Sequence, residues 1–226
     1  MVAGERKLAF CGGSPPRVGL GVPYGWDILA AWGCRVIPGY PLGITMRASL
    51  DEKRTRDLRA ALAGAGAVIF VCSGNMVRSA FAELLARHLG LRIAVASAAT
   101  TYRNAGLLGE TARALRTRGV SEGLLHSFRP THLEDLSGVW SDRLSGADGT
   151  VVLCMSEAHL RALPAGARGW LLEELLGRRN EIPDPVLEGA SFDRTFARVA
   201  ACVEELVRRF EPHPVPRGIP PEEPDR

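Results

Sequence analysis

From about residue 66 to residue 210, short apolar runs alternate with segments whose apolar residues recur at helical spacing, and this alternation limits the fold more than any other feature of the chain. Strands are predicted at about 67–71, 92–97, 150–155 and 168–172, and helices at about 79–89, 107–118, 131–136, 157–163 and 192–210. Strand and helix taking turns require right-handed crossovers, so the predicted fold is α/β: a small four-stranded parallel sheet with helices on both faces. Ligands of such sheets bind beyond the carboxyl ends of the strands.

Outside this region the texture changes. Residues 11–45 are crowded with glycine and proline, leaving Trp26–Trp32 as the one candidate for a short helix, while apolar residues set among charges predict an amphipathic helix at about 50–63. The expected organisation is an irregular N-terminal extension over 1–65, a domain over 66–211, and a disordered Pro-rich tail over 212–226. Residues 1–45 are expected to be dispensable, with Met46 as a candidate start.

Composition removes several function classes. With 46% hydrophobic and 23% charged residues the chain has ordinary globular composition. Of its 28 basic residues only Lys7 and Lys53 are lysine, and no basic run exceeds two residues, so neither nucleic acid nor a membrane surface is an expected partner. Five scattered cysteines, an odd number without Cys-x-x-Cys pairs, argue against a disulfide framework or a zinc site. No apolar stretch reaches membrane-spanning length, and a cytoplasmic location is expected.

The stretch with chemistry in it is Val71-Cys-Ser-Gly-Asn-Met-Val-Arg-Ser79. A predicted strand ends at Cys72 and a predicted helix starts near Arg78. The Cys-x5-Arg spacing decides nothing, because Cys11 to Arg17 and Cys202 to Arg208 repeat it. Cys202 lies within a predicted helix whose amides are already paired, and Cys11 is followed by two prolines that remove donors. Only after Cys72 does every loop amide survive, with a Gly-Asn pair that tolerates left-handed backbone. Amides from Ser73 through Gly74, Asn75, Met76 and Val77 to Arg78 can form a concave nest extended by the helix dipole, a site for a tetrahedral dianion. The same field favours a thiolate, which makes Cys72 a candidate nucleophile. Arg78 offers a planar fork to two phosphoryl oxygens, and Ser79 a hydrogen bond to the sulfur.

This loop, followed by Ala82-Glu83, resembles the signature loop of low-molecular-weight protein-tyrosine phosphatases. Ser97-Ala-Ala-Thr100, Leu124-Leu-His-Ser-Phe-Arg129 and Val151-Val-Leu-Cys-Met155 are similar to further segments of that family. Glu181-Ile-Pro-Asp-Pro185 resembles its Asp-Pro loop. The resemblance implies a phosphomonoesterase that works through a cysteinyl-phosphate without metal or other cofactor, on a phosphotyrosine-containing protein or a small aryl phosphate. It implies Cys72 as nucleophile, Arg78 and the amides of 73–79 as phosphate ligands, and Asp184 as general acid and then base. His126 is implied as the support of Asn75. His88, His132, His159 and His213 receive no role. The chain departs from the family pattern at Val77, where a second cysteine often stands, and at Val186-Leu187, where aromatic residues are usual. Arsenate reduction on the same scaffold and a catalytically idle phospho-ligand binding module are the alternatives.

Overall fold

Six consecutive residues, Ala67–Cys72, form strand β1 and are all buried. A strand covered on both faces has no polar face to show, which is why its sequence, Ala-Val-Ile-Phe-Val-Cys, reads as an unbroken apolar run. The computed structural model describes residues 42–136 and 149–211, with side chains from residue 52 onward. Trp26–Trp32, Cys11, Cys34 and the Pro-rich tail lie outside the described residues.

In chain order the elements are α1 (Leu42–Ala63), β1, α2 (Arg78–His88), β2 (Ala94–Ala99), α3 (Gly109–Thr117), α4 (Glu122–Ser127), β3 (Thr150–Cys154), α5 (Glu157–Arg161), β4 (Gly169–Leu171), a 3₁₀ turn (Leu172–Leu176) and α6 (Phe192–Phe210). The four strands are parallel in the order β2-β1-β3-β4, so β1 is central and its carboxyl end opens between its two neighbours. The register sets Cys72 beside Ala99 and Val71 beside Cys154.

The two-residue period of β1 divides the core. Val68 and Phe70 pack with α1, α2 and α6, whereas Ile69 and Val71 pack with Val152, Cys154, Leu133 and Leu136 on the opposite face. Phe81 of α2 stacks on Phe196 of α6 with ring centroids 4.6 Å apart, joining the two helices that carry most of the first layer. At the entry to β3, Gly149 has φ of +65°, and a Cβ there would stand 2.2 Å from the Gly64 carbonyl oxygen. Only glycine fits that turn.

Helix α1, expected as part of the N-terminal extension, packs with the sheet-bearing unit. Leu58 and Leu62 of α1 lie in the core, and Arg54 donates to the Glu174 carboxylate at 2.9 and 2.7 Å and to the Gly169 carbonyl at 3.1 Å. The compact unit that holds the sheet accordingly starts at Thr45. Helix α4 was not expected, because six residues are too few for a periodic pattern; its cap is Ser121, whose Oγ accepts from the Leu124 amide at 3.3 Å. Among the described residues no helix is long and apolar enough to cross a membrane.

Candidate active site

Where β1 ends, its backbone turns away from the sheet and its carbonyls turn outward. Cys72 O accepts from Thr100 N, and Ser73 O accepts from both Thr101 N and Tyr102 N, at 2.9 to 3.0 Å. Gly74 O accepts from Asn104 Nδ2 at 2.6 Å, and Met76 O from Leu108 N and Thr111 Oγ1 at 3.2 and 3.0 Å. Four outward carbonyls leave the intervening amides facing the concave side of the loop, the geometry of an anion nest. Asn75, with φ of +48°, is the one non-glycine residue with positive φ among the described residues, and it turns the chain toward α2. Its amide donates to Cys72 Sγ at 3.3 Å.

The strained residue is tied on every side. Asn75 Nδ2 donates to the carbonyls of Ser97 and Thr131 at 3.1 and 3.2 Å, while Oδ1 accepts from Ser97 Oγ at 2.7 Å and faces Ser79 Oγ at 3.0 Å. His126 has no part in this. Its ring is exposed at the end of α4, where Nδ1 bonds the Glu122 carbonyl at 2.7 Å, so its expected support of Asn75 is corrected to Ser97, Ser79 and Thr131. Ser79 Oγ also lies 2.9 Å from Cys72 Sγ.

Arg78 opens α2 with its side chain 2% exposed. Nη1 donates to the Ile182 carbonyl at 2.8 Å, Nη2 donates to Ser73 Oγ at 3.2 Å and pairs closely with Asp184, and Nε is buried without a partner. Asp184 is held by its own turn: Oδ1 accepts from the amides of Val186 and Leu187 at 3.0 and 3.4 Å, and its amide donates to Glu188 Oε1 at 3.1 Å. Cys72, Ser73, Gly74, Met76, Val77, Arg78 and Asp184 line one cavity of about 190 Å³, rimmed by Tyr102, Val186 and Leu187. The fold thus brings together the loop residues and Asp184, 106 positions beyond Arg78 in the sequence.

One residue at the site carried no expectation. His159, in α5 beyond the end of β3, is buried; Nε2 lies 3.0 Å from Ser73 Oγ and Nδ1 lies 2.9 Å from Ser156 Oγ. Burial, with the nearby Arg78 charge, lowers its pKa to about 4, so the ring is neutral. Arg78 donates to Ser73 Oγ and leaves that hydroxyl's own proton available to Nε2, and in that tautomer Nδ1–H donates to Ser156. The sequence signal was the Ser-x-x-His spacing of Ser156 and His159, a helix cap whose third residue points back under the loop.

A sequence profile of the low molecular weight phosphotyrosine protein phosphatases matches residues 67–214. The chain belongs to this family. A low molecular weight protein-tyrosine-phosphatase, PtpB of Staphylococcus epidermidis, is 27% identical over 151 residues, which cover 64% of this chain and 99% of that protein. YfkJ from Bacillus subtilis is similar in fold, with a TM-score of 0.51, 22% identity, and coverage of 64% of this chain and 93% of its own. Wzb of Vibrio vulnificus, solved in complex with benzylphosphonate, gives a TM-score of 0.53 at 19% identity over 65% of this chain and 99% of its own. The arginine phosphatase YwlE from Geobacillus stearothermophilus has a TM-score of 0.50 at 21% identity over 63% of this chain and 91% of its own. The low molecular weight phosphatase fold, a four-stranded parallel sheet with flanking helices, is therefore the fold of this chain, and its enzyme class is the hydrolases.

Proposed function

We propose that this low molecular weight phosphatase hydrolyses phosphotyrosine in proteins and small aryl phosphates through a cysteinyl-phosphate. The observation that carries the reading is the outward turn of the loop carbonyls around Cys72, with Arg78 and Asp184 on the same cavity. Cys72 sulfur attacks phosphorus as the bond from phosphorus to the phenolic oxygen breaks, and Asp184 gives its proton to that oxygen. In the second step Asp184 takes a proton from water, whose oxygen displaces sulfur and releases phosphate. Loop amides and the Arg78 fork hold the equatorial oxygens in both steps. The unpartnered Nε of Arg78 is a donor for one of those oxygens, and a phosphoryl group that draws the fork toward itself frees Asp184 from its ion pair.

The rim favours an aromatic leaving group. Tyr102, Val186 and Leu187 are large apolar residues with about half or more of their surface exposed, and all three border the Cys72 cavity together with Met76. An aryl ring covers such a surface; a guanidinium would need carboxylates, and Asp184, the one carboxylate lining the cavity among the described residues, is already paired with Arg78. Among the described residues no cysteine suits a relay for arsenate reduction, since Cys154 and Cys202 are both buried and burial pushes both thiols up. Turnover of phenyl phosphate and of a phosphotyrosine peptide, with phosphoarginine as the comparison and Cys72→Ser as control, tests the proposal. Turnover of phosphoarginine alone would overturn the aryl preference, and equal turnover by Cys72→Ser would overturn the mechanism.

A further inference from the structure

Glu83 of α2 is a buried carboxyl group that the proposed mechanism does not use. Its Oε2 lies 2.5 Å from Ser97 Oγ, Ser97 Oγ lies 2.7 Å from Asn75 Oδ1, Asn75 Oδ1 lies 3.0 Å from Ser79 Oγ, and Ser79 Oγ lies 2.9 Å from Cys72 Sγ. Four contacts in a row join Glu83 to the nucleophile. Each needs one proton, and Asn75 Oδ1 supplies none. Its amide cannot be turned to supply one either, because Nδ2 is committed to the carbonyls of Ser97 and Thr131.

Counting protons separates the states of this chain. With Cys72 as thiol, its S–H goes to Ser79, Ser79 gives its own proton to Asn75 Oδ1, and Ser97 is free to donate to an ionised Glu83. With Cys72 as thiolate, Ser79 turns its proton to the sulfur, and Asn75 Oδ1 then depends on Ser97. An ionised Glu83 competes for that same Ser97 proton, so Asn75 Oδ1, fully buried, is left without a donor. A protonated Glu83 instead donates to Ser97, which donates to Asn75.

We infer that Glu83 and Cys72 titrate as a linked pair through Ser97, Asn75 and Ser79, Glu83 holding its proton while Cys72 is the thiolate, which makes Glu83 a positioning residue for the nucleophile. This rests on the reading of Cys72 as the nucleophile. Burial pushes the Glu83 carboxyl up, against the pull of the Ser97 hydrogen bonds and the Arg87 charge. Arg87, one turn along α2, pairs with Oε1 at 2.6 Å and is the charged group that acts on Glu83; β2 contributes Ser97. On the Cys72 side stand Arg78, paired with Asp184, the neutral His159 behind Ser73, and Cys154 of β3. Because Arg87 holds Oε1 as an acceptor, Glu83→Gln would point its amide N–H₂ at Ser97 and act as a permanently protonated Glu83.

The test is the rate of Cys72 alkylation by iodoacetamide against pH, read on the Cys72 peptide by mass spectrometry, in phosphate-free buffer. It needs no turnover, so inactivity toward aryl phosphates would remove the proposed function without touching the linkage. The expected result is that E83Q lowers the midpoint and raises the rate below it by about tenfold, the equivalent of one hydrogen bond regained, whereas S97A raises the midpoint. Adding E83Q to S97A should change nothing further, because the relay is already cut. An E83Q midpoint that stays or rises, or the same E83Q shift in both backgrounds, overturns the inference. The wild-type fold supplies a second reading: the Glu83 carboxyl, followed by ¹³C NMR, should titrate lower in Cys72→Ala than in the wild type, and an unchanged midpoint would likewise overturn it.

Discussion

Two places in the described residues have cysteine and arginine separated by five residues, and only one has the geometry of an anion site. Cys72 ends a strand and Arg78 begins a helix; between them the backbone turns its carbonyls outward and leaves amides to face a ligand. Cys202 and Arg208 both lie within α6, where the amides are spent on the helix ladder. Six residues along a helix is a rotation of roughly 240°, so the two side chains diverge. Cys202 faces the core with its thiol pushed up to about 12, chiefly by burial, while Arg208 is 67% exposed and pairs with Glu205. Spacing does not make an anion site; unpaired backbone donors do.

The largest expected effect is a complete contrast between the two pairs. Cys72→Ser should abolish turnover of phenyl phosphate and Arg78→Lys should lower kcat/KM by at least about 10²-fold, since a point charge cannot replace the fork. Cys202→Ser should keep turnover and lose stability by about 1–3 kcal/mol for a buried hydroxyl, and Arg208→Lys should change neither. Denaturant melts with parallel assays on the four variants check this. Loss of turnover in a folded Cys202→Ser protein would break the comparison.

A smaller effect is expected across the cavity. Asp184→Asn should lower kcat/KM for phenyl phosphate by about 10²- to 10⁴-fold, and much less for a nitrophenyl phosphate, whose leaving group departs as a stable anion. Equal losses on the two substrates would make Asp184 structural. Two nearby carboxylates are engaged elsewhere: Glu181 accepts from the Glu157 amide at 2.9 Å, and Asp193 lies in the first turn of α6; neither lines the Cys72 cavity.

The smallest concerns His159 and stability. Its pKa is about 4 in the fold against an ordinary 6.5, so the unfolded chain binds the extra proton between those values. The contribution of neutral His159 is fully present above pH 6.5 and is lost as pH falls toward 4, by no more than about 3 kcal/mol. His159→Gln, which can still face Ser73, should flatten that limb of a stability profile measured by urea melts. An unchanged slope would show that other groups carry the acid sensitivity.

What could be read in the sequence follows from which contacts are local. Strand β1 and the loop after it form one continuous stretch, so Cys72, Arg78 and the breaks around them were visible as run length and residue type. Asp184 was visible only through the family resemblance of Glu181-Ile-Pro-Asp-Pro185. The residues missed meet the loop only through the sheet. Thr131 reaches Asn75 because its segment pairs with the end of β2 at Ala99, and His159 reaches Ser73 because β3 lies beside β1 and delivers α5 to the same edge. His126 was misplaced for the converse reason: α4 is a single short element whose end turns its ring to solvent, which no spacing discloses. The packing of Leu58 and Leu62 onto the core was likewise not legible, because their burial depends on partners far along the chain.

The central claim is that phosphate passes through Cys72. It is tested most directly by mixing Asp184→Asn protein with an aryl phosphate, quenching in acid within milliseconds to seconds, and locating the phosphoryl group by mass spectrometry. Loss of the base that activates water should let the intermediate accumulate, with the phosphoryl group on the Cys72 peptide and none in Cys72→Ala/Asp184→Asn. A phosphoryl group found on Cys202 or on a serine of the loop, or turnover in the wild type with no Cys72 phosphoryl group at any time, would contradict the account.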